Sequence, residues 1–325
     1  MGRLRAGVHI VPMMGAGDVI EIAIHAERLG YDYCFIADEG FLPDVYVSLG
    51  AIARETQHIT LGVMTNGYTR HPAVTAAALA TVNGLAPGRV VGTMLAGGSM
   101  VLGPMGIQRD RPYQVMAETI EAMRQLWSGE PVTWTGDTTA LVGAELSLGR
   151  QEIPIWIAGR GPLVLGLAGR HADGVILTVK PDLGGALEIV ASATGADTPG
   201  PKRVYLGRIC YTPEMLEAQR PILSYVLMDS PPRALESLGM DADAIALVQA
   251  AAQCHDASMV APLVTDELLR HYQVAGTPAE CAAEIAEMAD VHGLHAVFVD
   301  ALSSDLDENI SIIENSLPII TGSST

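Results

Sequence analysis

Short apolar runs recur along this chain, each followed by a longer amphipathic stretch, and that alternation constrains the fold more than any single motif. The runs are AGVHIV (6–11), DYCFIA (32–37), ITLGVM (59–64), RVVGTML (89–95), IPIWIA (153–158), GVILT (174–178), RVYLGRICYT (203–212) and HAVFVD (295–300). Each is apolar along its length rather than at every second residue, which is the pattern of parallel strands covered on both faces. Eight such units favour a closed (β/α)8 barrel over an open doubly wound sheet. An open sheet would also carry a glycine fingerprint after its first strand. VPMMGAGDV has Gly15 and Gly17 but lacks the third glycine. One barrel accommodates the whole chain, so a single domain over 1–325 is expected.

Helix signals fall between the runs. Asp18 is placed to cap a first helix that Gly30 stops. Pro43, Pro72 and Pro213 lie at helix starts, and a further helix is expected over 112–128. Two stretches break the rhythm. Residues 129–153 alternate and are turn-rich, which predicts a small β insertion on the barrel rim. Residues 230–272 read as a helical insertion, and both are expected to shape a substrate pocket.

Charge and cysteines exclude several functions. The formal net charge is −18, and Lys180 and Lys202 are the only lysines, so the chain has no basic patch for nucleic acid or an anionic membrane. Cys34, Cys210, Cys254 and Cys281 are far apart and read as free thiols. No His/Cys/Asp group has metal-ligand spacing, and no G-x-S-x-G elbow is present. The N-terminus lacks the apolar core of a signal peptide, and no run approaches the roughly 18 residues of a spanning helix. A cytoplasmic protein acting on a small molecule is expected.

In such a barrel the chemistry sits at the C-terminal strand ends. These ends present His9, the pair Asp38 and Glu39, the stretch from Thr65 to His71, the loop Ala96-Gly97-Gly98-Ser99, the loop Gly159-Arg160-Gly161-Pro162, then Thr178, Lys180 and Asp300. The two glycine-rich loops could be ordinary tight turns. They could equally bring backbone amides, and the charge of Arg160, up to an anion. Asp38 and Glu39 could be a helix cap and a solvated charge, or groups for acid–base work. His9 could be a satisfied core residue or a proton carrier.

The stretch FIADEGFLPDVYVSLGAIARETQHITLGVMTNGYTRHPAVTAAALATVNGLAPGRVV resembles the luciferase-like family of flavin- and deazaflavin-dependent oxidoreductases. IPIWIAGRGPLVLGLAGRHADGVIL, VLMDSPPRALESLGM and VAGTPAECAAEIAEMADVHGLHAVFV extend the likeness over nearly the whole chain. Within the family it is similar to coenzyme F420-dependent methylenetetrahydromethanopterin reductases. The resemblance implies a TIM barrel that holds a tricyclic cofactor at its C-terminal mouth. It implies that Gly62–Val63 is a non-prolyl cis bond bulging against the ring, and that Asp38, Thr65 and Asn66 contact the ring. Ala96 and Gly97 would lie beneath it, and Gly159, Arg160 and Gly161 would hold its phosphate. Relatives often pair, so a homodimer is one option.

The sequence departs from the family in four places. Asp38-Glu39 stands where many members have Asp-His, and His9 lies near the place of a first-strand Glu. Acid and imidazole have therefore exchanged strand ends in this reading, with Glu39 and His9 as the proton-transfer candidates. Gly67 replaces a proline, and Thr93 and Leu95 occupy two positions usually kept as glycine. The leading expectation is hydride transfer between reduced F420 and an organic substrate. The alternatives are an FMN-dependent monooxygenase of the same fold and a non-catalytic barrel that binds a flavin-like ligand.

Overall fold

Every one of the eight apolar runs forms a strand in the computed structural model, which describes residues 3–196 and 198–322. The barrel strands are β1 (Arg5–Ile10), β2 (Tyr33–Ala37), β3 (Thr60–Asn66), β4 (Val90–Leu95), β5 (Ile155–Ala158), β6 (Gly174–Leu177), β7 (Lys202–Gly207) and β8 (Ala296–Ala301). They pair in parallel around a closed ring, with β1 sealing against β8 in a register that sets His9 beside Asp300. The outer ring is α1 (Ala16–Leu29), α2 (Val45–Glu55), α3 (Pro72–Leu85), α4 (Pro112–Leu126), α5 (Pro162–His171), α6 (Leu183–Ala193), α7 (Pro278–His292) and α8 (Leu306–Thr321). Among the described residues no helix is long and apolar enough to cross a membrane.

Strand side chains alternate between two cores. Ala6, Val8, Ile10, Cys34, Ile36, Leu61 and Val63 point outward and pack under the helices. Tyr33, Phe35, Met64, Val91, Trp156, Phe298 and their neighbours fill the lumen. Aromatic residues are only 5% of the chain, yet four of them meet here. Phe35 and Phe298 are edge-to-face at 4.9 Å, and Phe35 and Trp156 are 5.2 Å apart. This plug closes the N-terminal half of the barrel to water.

The plug also explains Gly62. A Cβ there would lie 2.3 Å from the Phe35 ring, inside any allowed contact. The expected cis bond is not found: no peptide bond among the described residues is cis, Gly62–Val63 included. The physical reason is the ladder. Gly62 and Val63 pair in unbroken register with Phe35 and Ile36 on one side and Val91 and Gly92 on the other, leaving no bulge.

Two further expectations change. Asp18 does not cap α1; its N-cap is Gly15 and makes no side-chain hydrogen bond, while Asp18 sits in the first turn. The β insertion is an antiparallel pair of Val132–Thr135 and Ala140–Ala144. It follows α4 and precedes β5, so it leaves from the N-terminal side and packs along the outside. There Glu118 of α4 accepts hydrogen bonds from Asp137, Thr138 and Thr139, and Thr139 approaches His71 at 3.3 Å. The helical insertion begins earlier than residue 230. Pro213–Glu217, Arg220–Met228, Pro232–Ser237, Ala242–Cys254 and Asp266–Tyr272 form one cap between β7 and α7. Its apolar core of Leu223, Leu227, Leu235, Val248, Leu269 and others meets the barrel through Val179 and Cys210.

Candidate active site

One pleat above the aromatic plug, the lumen changes character. The same alternation that turns Gly7, Val91, Leu206 and Phe298 inward also turns His9, Thr93, Arg208 and Asp300 inward, two residues nearer the strand ends. His9 Nδ1 lies 2.6 Å from Asp300 Oδ1. Arg208 Nη1 donates to the Asp300 carbonyl at 2.7 Å, fixing the strand that carries the carboxylate. Burial raises the acid of Glu39 above the usual carboxylate range, with His9 opposing the shift and Asp38 adding to it. Glu39 and His9, separated by the second strand in sequence, therefore share one electrostatic neighbourhood.

Three buried polar atoms of this layer have no hydrogen-bond partner among the described residues: His9 Nε2, Thr93 Oγ1 and Arg208 Nε. Unpartnered buried polar atoms also occur at Tyr46, Thr69, Thr75, Tyr205, Arg233 and Ser316, but these three share one layer of the lumen, which makes that layer the candidate site.

The loop after β3 is braced internally. Thr65 Oγ1 donates to Asp38 Oδ2 at 2.8 Å, and Arg70 Nε lies 3.5 Å from the same oxygen. Asn66 Oδ1 accepts from the Tyr68 and Thr69 amides at 2.9 and 3.0 Å, an Asx turn that shapes the loop. Arg70 also donates to Asp44, the N-cap of α2, and stacks over Tyr46, while His71 caps α3. Asp38, Thr65 and Asn66 are all buried, and their side-chain hydrogen bonds run within the wall. Gly62 and Val63 lie deeper still, at the level of the plug.

The other two predicted loops do reach the mouth. Gly97 has φ +80 and accepts from Arg109 Nη1 at 2.9 Å, and a Cβ there would meet Leu102 at 2.7 Å. Ala96 precedes it and is half-buried, as is Leu95, which packs against the plug. Gly161 is the N-cap of α5 and offers no side-chain cap, so the helix's first amides are open. A Cβ on Gly159 would meet Val164 at 2.4 Å. Arg160 Nη1 donates to Ser230 Oγ and to the Val226 carbonyl, both on the cap. Lys180, also at a strand end, is a structural clamp on Gln273, Arg270 and Glu284.

Sequence reasoning singled out His9 and Glu39 but gave Asp300 no role and missed Arg208 altogether. Asp300 was visible as a strand end; its pairing with His9 needed the barrel closed. No group of metal-ligating side chains occurs among the described residues. Two clefts of about 590 and 580 Å3 lie elsewhere, one on the cap beside Met240 and His271 and one at the N-terminal face beside Arg3 and His295.

Comparison with known proteins places this geometry in context. The sequence profile described as luciferase-like monooxygenase matches residues 3–295. A 5,10-methylenetetrahydromethanopterin reductase of Archaeoglobus fulgidus is 30% identical over 95% of this chain and 97% of its own length. An F420-dependent glucose-6-phosphate dehydrogenase of Microbacterium testaceum is 32% identical over 52% of this chain and 54% of its own. The solved coenzyme F420-dependent tetrahydromethanopterin reductase of Methanopyrus kandleri superposes with a TM-score of 0.79 at 23% identity, covering 96% of this chain and 97% of that one.

Proposed function

The chain belongs to the luciferase-like monooxygenase family, and on that premise we propose how it works as an F420-dependent oxidoreductase on a small organic substrate. The observation that carries this reading is the lumen layer with three unpartnered polar atoms, His9 Nε2, Thr93 Oγ1 and Arg208 Nε, set above a dry aromatic floor.

The residues present fit a planar deazaflavin. The orphaned atoms are the hydrogen-bonding partners a polar ring edge needs, and the floor beneath them excludes water. Ala96 and Gly97 would lie against the ring, with Asp38, Thr65 and Asn66 as the rigid wall behind the third strand. The open amides of α5, with Gly159, Arg160 and Gly161, would hold the phosphate. When bound, the deazaflavin supplies hydride exchange at a ring carbon. The chain's own tasks are to fix the ring, keep water out and manage one proton. The last task is assigned to Glu39 and His9, on the support that burial keeps the Glu39 acid protonated to higher pH than usual and that the two groups influence each other electrostatically.

The test is a fluorescence titration of the purified protein with F420 and, separately, with FMN. Saturable quenching by F420 without a response to FMN is expected. An FMN response alone would favour a flavin monooxygenase. Binding of neither would favour a barrel without redox chemistry and would direct attention to Leu95, since Leu95→Gly should then restore binding if crowding is the cause.

A further inference from the structure

We propose that Arg233 of the cap is a positioning residue for the cofactor's phosphate. Paired with Asp182, it holds the loop after β5 so that Arg160 and the first amides of α5 face an anion. The proposal rests on the F420 reading above and gives a task to a residue that reading leaves without one.

Two arginines cross the same gap in opposite directions. The Arg160 side chain leaves the loop and donates to the cap through Nη1, at the Val226 carbonyl and Ser230 Oγ. The Arg233 side chain leaves the cap and returns to the loop, where Nη2 donates to the Arg160 carbonyl at 3.1 Å. Its Nη1 pairs with Asp182 Oδ1. Asp182 stands directly before α6 and is buried, which pushes its acid up, and the Arg233 charge opposes that shift. One planar fork thus ties the cap helix Pro232–Ser237, the segment before α6 and the loop after β5. Gly185 leaves the pair its room: a Cβ there would lie 3.1 Å from Arg233 Nη1 and 3.3 Å from Asp182 Oδ1. Ion pairs taken out of water contribute little net stability, and their best-attested use is to fix an arrangement.

The grip on that carbonyl decides where an amide points. A trans peptide is planar, with its C=O and N–H on opposite sides. With the Arg160 carbonyl drawn to Arg233, the Gly161 N–H points away from the cap helix. That amide and those of Arg160, Leu163 and Val164 have no hydrogen-bond partner among the described residues. Arg160 Nε and Nη2 are likewise unpartnered among them, so the charge keeps donors to spare. Gly159 and Gly161 flank Arg160 and leave this stretch of backbone free to turn over. Turned over, the peptide would present a carbonyl where the phosphate needs a donor. Arg233 holds it the right way round.

Arg233 acts through Arg160, so its test compares ligands rather than rates. The probes are F420 and a deazaflavin with the same ring and sugar chain but no phosphate, each titrated by fluorescence quenching. Arg233→Lys keeps the charge beside Asp182 but replaces the fork with a single point of donation. It should raise the F420 Kd about tenfold and change the Kd of the phosphate-free ligand less than about twofold. Asp182→Asn leaves Arg233 in place without its anchor and should weaken F420 about threefold, again selectively. Retained binding of the phosphate-free ligand shows that each variant is folded. Equal weakening of both ligands would make the pair merely structural and overturn the proposal, as would an unchanged F420 Kd in both variants. A wild-type chain that binds the two ligands equally would take the phosphate away from this loop and overturn it too. Binding of neither by the wild-type chain would instead defeat the F420 reading itself, and the proposal with it.

Discussion

Arg160 and Ser230 are joined by a 2.7 Å hydrogen bond from Nη1 to Oγ, which ties the loop after β5 to the helical cap. The guanidinium has two tasks in the proposed site, anchoring the cap and holding the cofactor's phosphate, and they separate by mutation. Losing a hydrogen bond to a charged group costs about 1.5–3 kcal/mol. Arg160→Gln is therefore expected to raise the F420 Kd roughly 10- to 100-fold, while Ser230→Ala, which removes one of the guanidinium's two cap contacts and leaves its charge in place, leaves it nearly unchanged. Equal losses in a binding titration of the two variants would assign Arg160 to cap anchoring alone.

Gly62 is expected to reject even a methyl group. Its side-chain position is filled by the Phe35 ring, itself locked against Trp156 and Phe298, so the ring has nowhere to retreat. Overpacking of this kind costs about 1–3 kcal/mol. Gly62→Ala should lower the midpoint of chemical denaturation accordingly, and Phe35→Leu in the same chain should recover part of the loss. A Gly62→Ala protein as stable as the parent would contradict this account of the glycine.

Glu118 links stability to pH. Burial by itself raises its acid, but hydrogen bonds from Thr138, Gln114 and Asp137 outweigh it and lower the folded value to about 2 from 4.5. Between those two values the unfolded chain binds the extra proton, so stability falls as pH falls. The contribution is complete above about pH 4.5 and lost by about pH 2. Glu118→Gln is expected to cost about 1.5–3 kcal/mol near neutrality and to flatten the acid side of the stability curve. Denaturant melts at several pH values in that window check both effects; a parallel loss at every pH would show that the charge is not the cause.

Glu39→Gln is expected to lower turnover at least about tenfold with the F420 Kd changed less than about threefold. Because burial raises the Glu39 acid, any limb it contributes to the pH profile should fall above the ordinary carboxylate range and vanish in the variant. Unchanged turnover would remove Glu39 from the proton path.

The barrel was legible in the sequence because parallel strands buried on both faces must be apolar throughout, and that signal survives in runs as short as Ile155–Ala158. The cap was harder to delimit. Its helices are short, as in Pro213–Glu217 and Pro232–Ser237, and short helices packed on one another carry little periodicity. The hairpin at 132–144 was recognised by its alternation, but alternation says which face is covered and not where on the barrel it lies. At the site, His9 and Glu39 stood out by residue type and strand-end position. In the polar run from Thr65 to His71, loop bracing and ligand binding both demand hydrogen-bonding side chains, so residue type alone does not separate them; Asn66 and Arg70 serve the first. Arg208 could not be found, since its role depends on a carbonyl 92 residues away.

The cap's separate apolar core has a consequence for how such an enzyme can change. Leu223, Leu227, Leu235, Val248 and Leu269 answer mainly to one another, and substitutions among residues that share no partners with a distant site act independently of it. That core can therefore drift or be repacked while the barrel keeps its His9–Asp300 pair and its aromatic floor, provided the ties from Arg160 to Ser230 and from Lys180 to Gln273 survive. A foreign cap grafted between Cys210 and Val274 is therefore expected to fold on this barrel only where it restores those two contacts.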